Sequence, residues 1–303
     1  MEAMMEITFG VHTGPANSTA EELRALWTRI EELPFDWISI WDHFYAADGT
    51  STRCFEGVAA HMALAMHTSR VRCGSLVYCA GYRHPAVLAN AMAAIDHFSG
   101  GRCEVGLGAG WDQQEYDAHG IEFPSAGDRL DLLDEYAAVV KALLGGDPVD
   151  FDGRFFQLEG AICNPAPVRQ PMPLWIGGGG EKRTLAIAAR YADGWNVPFI
   201  GPEAYQHKND VLDEHCAAVS RHPREVIRSV NLGVATDEES LSRQYGVIAE
   251  FVRPGVLMGS TQQMVESIGR YAQAGAQQVN VALRAPFEIA ALEAIAVAIA
   301  ELD

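Results

Sequence analysis

Short apolar runs alternate along the chain with stretches whose apolar residues recur every three or four positions. Ile7–His12, Asp36–Trp41, Val71–Tyr78 and Arg102–Leu107 read as strands. Between them, Leu88, Met92 and Ile95 share one helical face, and Leu130, Leu133, Ala137, Val140 and Leu144 share another. Capping chemistry marks helix starts. Ser18 with Glu21 and Ser260 with Gln263 have the spacing of capping boxes, and Pro85 suits a first helical position. Four βα units are thus readable before residue 145.

The same step continues through Leu174–Ile176, Gly194–Val197, Ile227–Val234 and Gln278–Ala282, each followed by a helical pattern. Eight such units in 303 residues predict an α/β protein: one (β/α)8 TIM-barrel domain spanning residues 1–303. Two longer connections break the rhythm. One, Gly145–Met172, follows the fourth helix and holds a hairpin-like Phe151–Phe156; the other carries extra helical segments between the seventh and eighth strands. Insertions of this kind usually shape a site or a subunit contact.

Composition removes several classes of function. A formal charge of −18 opposes a nucleic-acid or anionic-membrane partner, because both demand basic surface. An anionic small molecule needs local cations and oriented amides to overcome that field. Six cysteines (Cys54, Cys73, Cys79, Cys103, Cys163, Cys216) form no Cys-x-x-Cys pair, which predicts reduced thiols rather than disulfides or structural zinc. With no basic-then-apolar leader pattern and no run of about 18 apolar residues, the expectation is a soluble cytoplasmic protein.

In a barrel, chemistry gathers at the C-terminal strand ends. Those ends carry His12, Trp41-Asp42-His43-Phe44, Val77-Tyr78-Cys79, Gly106–Trp111 and Trp195-Asn196, an aromatic and glycine-rich mouth with few charges. After the fifth strand, Gly177–Gly180 runs directly into Glu181, Lys182, Arg183 and a helical pattern. A turn without side chains at a helix N-terminus aims backbone N–H groups at an anion, with cations close by. Its spacing matches neither the dinucleotide fingerprint nor the P-loop. Later strand ends add no His or Asp to His12, Asp42 and His43, so a metal site is not expected, and no Gly-x-Ser-x-Gly elbow is present.

The blocks Ser39–Phe44, Tyr82–Leu88 with Asp96–Arg102, Gly106–Trp111, and Trp175–Thr184 with Ala188–Asn196 together resemble the bacterial luciferase-like superfamily. They are most similar to its branch that uses the deazaflavin coenzyme F420, over nearly the whole chain. The resemblance implies a tricyclic ring at the barrel mouth, phosphate at the glycine turn, and hydride transfer to or from a small substrate. It also implies a bulge in the third strand, often with a non-prolyl cis peptide, here within Leu76–Cys79. On it, Asp42 and His43 are catalytic, with His43 as general acid/base. Alternatively, His43 merely donates to Asp42 and orders the loop.

By the same resemblance, Val77, Tyr78, Cys79, Gly108, Ala109 and Gly110 face the cofactor, and Gly177, Gly178, Gly179, Gly180, Glu181 and Lys182 hold its phosphate. His12, Trp111, Glu115, Trp195 and Asn196 form the substrate pocket. Sugar-phosphate dehydrogenases of this branch carry a catalytic Glu where this chain has Trp111 and a Trp where it has Ala46-Ala47. A sugar phosphate is therefore not the expected substrate; an apolar or conjugated one, such as an unsaturated carbonyl, suits the mouth better. An FMN-dependent monooxygenase of the same fold and a noncatalytic flavin- or deazaflavin-binding protein are the alternatives. The family likeness also implies a homodimer.

Overall fold

The computed structural model describes residues 7–46, 49 and 51–302. Ala47, one of the two alanines singled out above, lies outside them. Eight strands, β1 (Thr8–Thr13), β2 (Trp37–Ile40), β3 (Arg72–Ser75), β4 (Cys103–Gly108), β5 (Leu174–Gly177), β6 (Gly194–Pro198), β7 (Ile227–Ala235) and β8 (Gln278–Leu283), pair in parallel in sequence order. Val11 pairs with Ile38 on one side and Val281 on the other, and Val230 pairs with Val197 and Val279, so the sheet closes on itself. The result is the (β/α)8 barrel that the strand–helix step predicts.

The strands are apolar runs because both faces are covered. Outside them lie α1 (Ala20–Glu32), α2 (Gly57–His67), α3 (Pro85–Ser99), α4 (Gln113–Ala118), α5 (Ala126–Leu144), α6 (Thr184–Tyr191) and α7 (Pro202–Ala218). The second insertion holds α8 (Glu238–Tyr245), α9 (Ala249–Val252) and a short strand, Val256–Met258, paired beside β7; α10 (Thr261–Gln273) and α11 (Ile289–Ala300) complete the ring. The first insertion carries an antiparallel hairpin, Val149–Asp152 with Gln157–Ala161.

Capping followed the sequence at two starts and moved by one residue at a third. Ser260 and Gln263 form the box on α10, and Pro85 opens α3 behind the His84 cap. On α1 the box is Thr19 with Glu22, not Ser18 with Glu21. The register that buries Leu23, Leu26, Trp27 and Ile30 starts the helix at Ala20, which leaves Ser18 buried before it.

Inside the barrel, Trp37 stacks on Trp175 at 4.9 Å and packs with Leu76, apart from the main helix–strand core. The buried Glu104 accepts from Trp175 Nε1, Arg72 and Arg169 at 2.8, 2.9 and 3.0 Å. Across from them, Asn231 Oδ1 accepts from Asn196 and Asn280, and Gln278 donates to Asn280. These polar residues, in strands that otherwise read as apolar, are each hydrogen-bonded to another side chain.

The third strand pauses after Ser75 and resumes as Tyr78–Cys79, pairing with β4. The Leu76–Val77 bond between them is cis. Val77 is received by glycines on the next two strands. A Cβ on Gly108 would lie 2.3 Å from Val77 Cγ2, and one on Gly177 would lie 2.6 Å from Val77 Cγ1. These two glycines make room for the bulge, which in turn lines the site.

Candidate active site

A cleft of about 630 Å³ opens at the C-terminal strand ends. It brings together His12, Asp42, His43, Val77, Cys79, Gly108, Ala109, Gly110, Trp111, Gly177, Gly178 and Asn196, residues spread over six strands and assembled only by barrel closure. Thr184 at the start of α6, Tyr82 after the bulge, Arg284 beyond β8, and Phe199, Ile248 and Phe251 at the rim complete it. Trp111 is 62% exposed and Phe251 65%, so the rim presents large apolar surfaces to solvent.

Asp42 and His43 are adjacent in sequence but belong to separate networks. Asp42, 4% exposed, accepts from Arg83 NH1 and NH2 at 2.6 and 2.9 Å and from the Cys79 amide at 3.0 Å. Arg83 also holds Glu56, the cap of α2. Burial disfavours the Arg83 cation, yet its bonds to Asp42 outweigh that and raise it above its ordinary range. Asp42 thus ties the second strand end to the bulge and to α2. The alternative in which His43 donates to Asp42 does not describe this site.

His43 Nδ1 instead shares a 2.9 Å hydrogen bond with Glu115 Oε2. Glu115 also accepts from Tyr82 OH at 2.5 Å and from the amides of Phe44 and Tyr45 at 2.9 and 2.8 Å. Burial raises its carboxyl, but the bonds from His43, Tyr82 and Tyr45 prevail, and it sits below the usual carboxylate value. Glu115 is thus placed behind His43 on α4, which corrects its expected place in the pocket wall. Asp112 comes within 4.8 Å of both. Each Glu115 oxygen already accepts two hydrogen bonds, so this trio is a satisfied network and not an open ligand set. Trp111 meets the His43 ring edge-on at 5.5 Å.

The second histidine of the cleft behaves differently. His12 shares a 3.0 Å hydrogen bond with Ser39. Burial, with the charges of Arg284 and His43, pushes it down to about 3. It is neutral at working pH and cannot deliver a proton there. His61, buried against Tyr78 at 2.8 Å, is likewise pushed down by burial to about 4. Both start near 6.5 in the unfolded chain. Between pH 6.5 and 4 the unfolded chain therefore binds more protons, so stability is full above that window and falls as pH drops through it. Urea denaturation should show a slope approaching about 2.7 kcal/mol per pH unit for two protons. A flat profile from pH 6.5 to 5 would contradict the neutral burial of these imidazoles.

Two further residues occupy places the strand pattern does not foresee. Tyr78 faces the barrel wall with its hydroxyl on His61, since the bulge turns Val77 and Cys79 toward the cleft. Trp195 is fully buried, stacks on Tyr205, and donates to Gly178 O at 2.9 Å, so it supports the glycine turn from behind. In that turn Gly178 has φ +122°, a conformation that favours glycine. Beyond Gly178 the turn passes Gly179, Gly180, Glu181 and the exposed Lys182 into α6.

The cations around this turn include one from another helix. Arg183 binds Asp131 and Gly127 O, on the α5 side. Lys208 of α7 lies over the turn instead, its Cε 3.7 Å from where a Gly179 Cβ would be, and donates to Glu181 at 2.6 Å. Tyr82, Arg83, Lys208 and Arg284 were missed as site residues because they come from three separate segments: Tyr82 and Arg284 reach the cleft, Arg83 holds Asp42, and Lys208 lies over the turn. The adjacency of Tyr82-Arg83 to the third strand end and of Arg284 to the eighth was the available signal.

Residues 1–285 match the family model described as luciferase-like monooxygenase. An F420-dependent glucose-6-phosphate dehydrogenase of Gordonia bronchialis is 30% identical over 211 residues, 67% of this chain and 60% of that protein. A pyrimidine monooxygenase of Agrobacterium fabrum is 35% identical over 162 residues, 52% and 43% of the two chains. The chain spans about half the length of the curated relatives it matches. An F420-dependent secondary alcohol dehydrogenase bound to an F420–acetone adduct superposes with a TM-score of 0.83 at 19% identity, covering 92% of this chain and 93% of its own. At that identity the likeness speaks to the fold.

Proposed function

The chain belongs to the luciferase-like monooxygenase family, and on that premise we propose that it is an F420-dependent oxidoreductase acting on a small apolar or conjugated substrate. The observation that carries this reading is His43: one ring nitrogen is held by a buried carboxylate and the other is left to an apolar cleft. His12, the other imidazole there, is neutral and bonded to Ser39.

The residues present fit such a cofactor. A cleft of about 630 Å³ suits a flat ring system with a substrate beside it. Next to it, the glycine turn leads into α6, with the Thr184 hydroxyl 2.7 Å from where a Gly180 Cβ would be and Lys208 above. Amides, a hydroxyl and an ammonium are a phosphate-binding donor set. Gly177–Gly180, Thr184 and Lys208 would hold the phosphate, and Val77, Cys79 and Gly108–Gly110 would wall the ring. When bound, the reduced deazaflavin supplies a hydride. Protonated on both ring nitrogens, His43 would give the Nε2 proton to the anion left by hydride addition and keep Nδ1–H, so the substrate gains two electrons and two hydrogens; in reverse, the neutral Nδ1–H imidazole takes that proton at Nε2. Leu76, Val77, Ile248 and Phe251 exclude water from the reacting face.

The same apolar walls, together with the identity to the pyrimidine monooxygenase, support a second reading as an FMN-dependent monooxygenase. Titration with oxidised F420 and with FMN, followed by quenching of Trp41 and Trp111, separates them. Micromolar or tighter F420 binding with FMN at least tenfold weaker supports the first reading, the reverse order supports the second, and binding of neither sinks both. Lys208→Ala should weaken F420 about tenfold, or about 1.4 kcal/mol. It should leave a phosphate-free deazaflavin unchanged, and equal loss for both ligands would remove Lys208 from the phosphate site.

A further inference from the structure

We infer that Glu115 is the positioning residue that locks His43 in its Nδ1–H tautomer and so makes Nε2 the proton-exchanging atom. The inference rests on the reading of His43 as general acid/base, and its geometry stands apart from any ligand. Three of the four groups facing the Glu115 carboxylate are donors whatever the state of His43, and the fourth is His43 Nδ1. Oε1 takes the amides of Phe44 and Tyr45, which can only donate, and Oε2 takes Tyr82 OH and His43 Nδ1. Glu115 is fully buried and held below the ordinary carboxylate value, so it stays an acceptor at neutral pH. An unprotonated Nδ1 would set a lone pair against a carboxylate oxygen 2.9 Å away. Neutral imidazole is therefore confined to one tautomer, with its acceptor toward the cleft.

The role is specific to Glu115. Asp42, the neighbour in sequence, is saturated by Arg83 and the Cys79 amide. Asp112 caps α4 by accepting from Gln114 N. The Tyr82 hydroxyl is pushed far above its ordinary range, first by burial and then by the Glu115 bond, so it is a fixed donor and does not replace His43 as the acid.

Glu115→Gln converts this geometry into a test. The carbonyl oxygen of the substituted side chain stays on the two backbone amides, and its NH2 takes the place of Oε2 and presents a donor to His43 Nδ1. The proton must then move to Nε2. Nitrogen NMR of protein labelled at its ten histidines, with His43 assigned through His43→Gln, should show neutral Nδ1–H in the parent and Nε2–H in Glu115→Gln. Tyr82→Phe removes a donor without adding one and should keep Nδ1–H. Hydride transfer from a secondary alcohol such as cyclohexenol to oxidised F420, the direction in which Nε2 must accept the hydroxyl proton, should fall about 100-fold in Glu115→Gln with F420 affinity unchanged. An Nε2–H tautomer in the parent, or Nδ1–H retained in Glu115→Gln, overturns the inference. The parent measurement does not depend on the folding of Glu115→Gln. If the tautomer switches but the parent binds no F420, the cofactor reading fails and the assignment of Glu115 stands.

Discussion

His43→Gln lowers hydride transfer between F420 and a conjugated carbonyl by about 10²–10⁴-fold and leaves F420 affinity within about threefold. The substitution is chosen to keep the loop. The Gln amide reaches where Nδ1 reaches and can still donate to Glu115, so Phe44 and Tyr45 keep their anchored amides. Gln cannot exchange a proton, and His12, buried and pushed down to about 3, cannot take over. Single-turnover oxidation of reduced F420 by cyclohexenone reads the chemical step, and fluorescence titration reads binding. Retention of more than a tenth of the parent rate would remove His43 from proton transfer. Equal loss of affinity and rate would assign it to cofactor binding.

Arg83→Met is expected to destabilise the fold by about 3–5 kcal/mol, the range for stripping a buried charge of its partner. Asp42 is 4% exposed and receives two bonds from Arg83, with only the Cys79 amide remaining after its loss. Met fills a similar volume, so the cost is electrostatic and not a cavity. Adding Asp42→Asn to Arg83→Met should recover about half of the loss, because a neutral amide needs less compensation than a carboxylate. Urea denaturation checks both values. A single-variant cost below about 1 kcal/mol would show that water, not Arg83, satisfies Asp42.

These two residues show where sequence reading succeeded and where it stopped. Asp42 and His43 were found because a strand end is a local property: an apolar run ends, and polar residues follow. The alternative that pairs them fails for the same reason. Successive side chains on an extended backbone point to opposite sides, so neighbours in the chain met different partners, Arg83 from the loop after the bulge and Glu115 from α4. Likewise the glycine turn was visible as composition, whereas Lys208, which lies over it, comes from the next helix of the barrel.

By itself the sequence determined the eight-unit barrel, its two insertions, the strand ends that form its mouth and the family to which the chain belongs. Each of these follows from periodicity, capping and short blocks of adjacent residues, all set by interactions along the chain. Tertiary structure alone decided which carboxylate holds which base, that Tyr78 and Trp195 turn from the cleft, and that Lys208 lies over the glycine turn. Those contacts join separate βα units. Only closure of the barrel, which buries one ring of strand ends against another, sets the distances that choose among them.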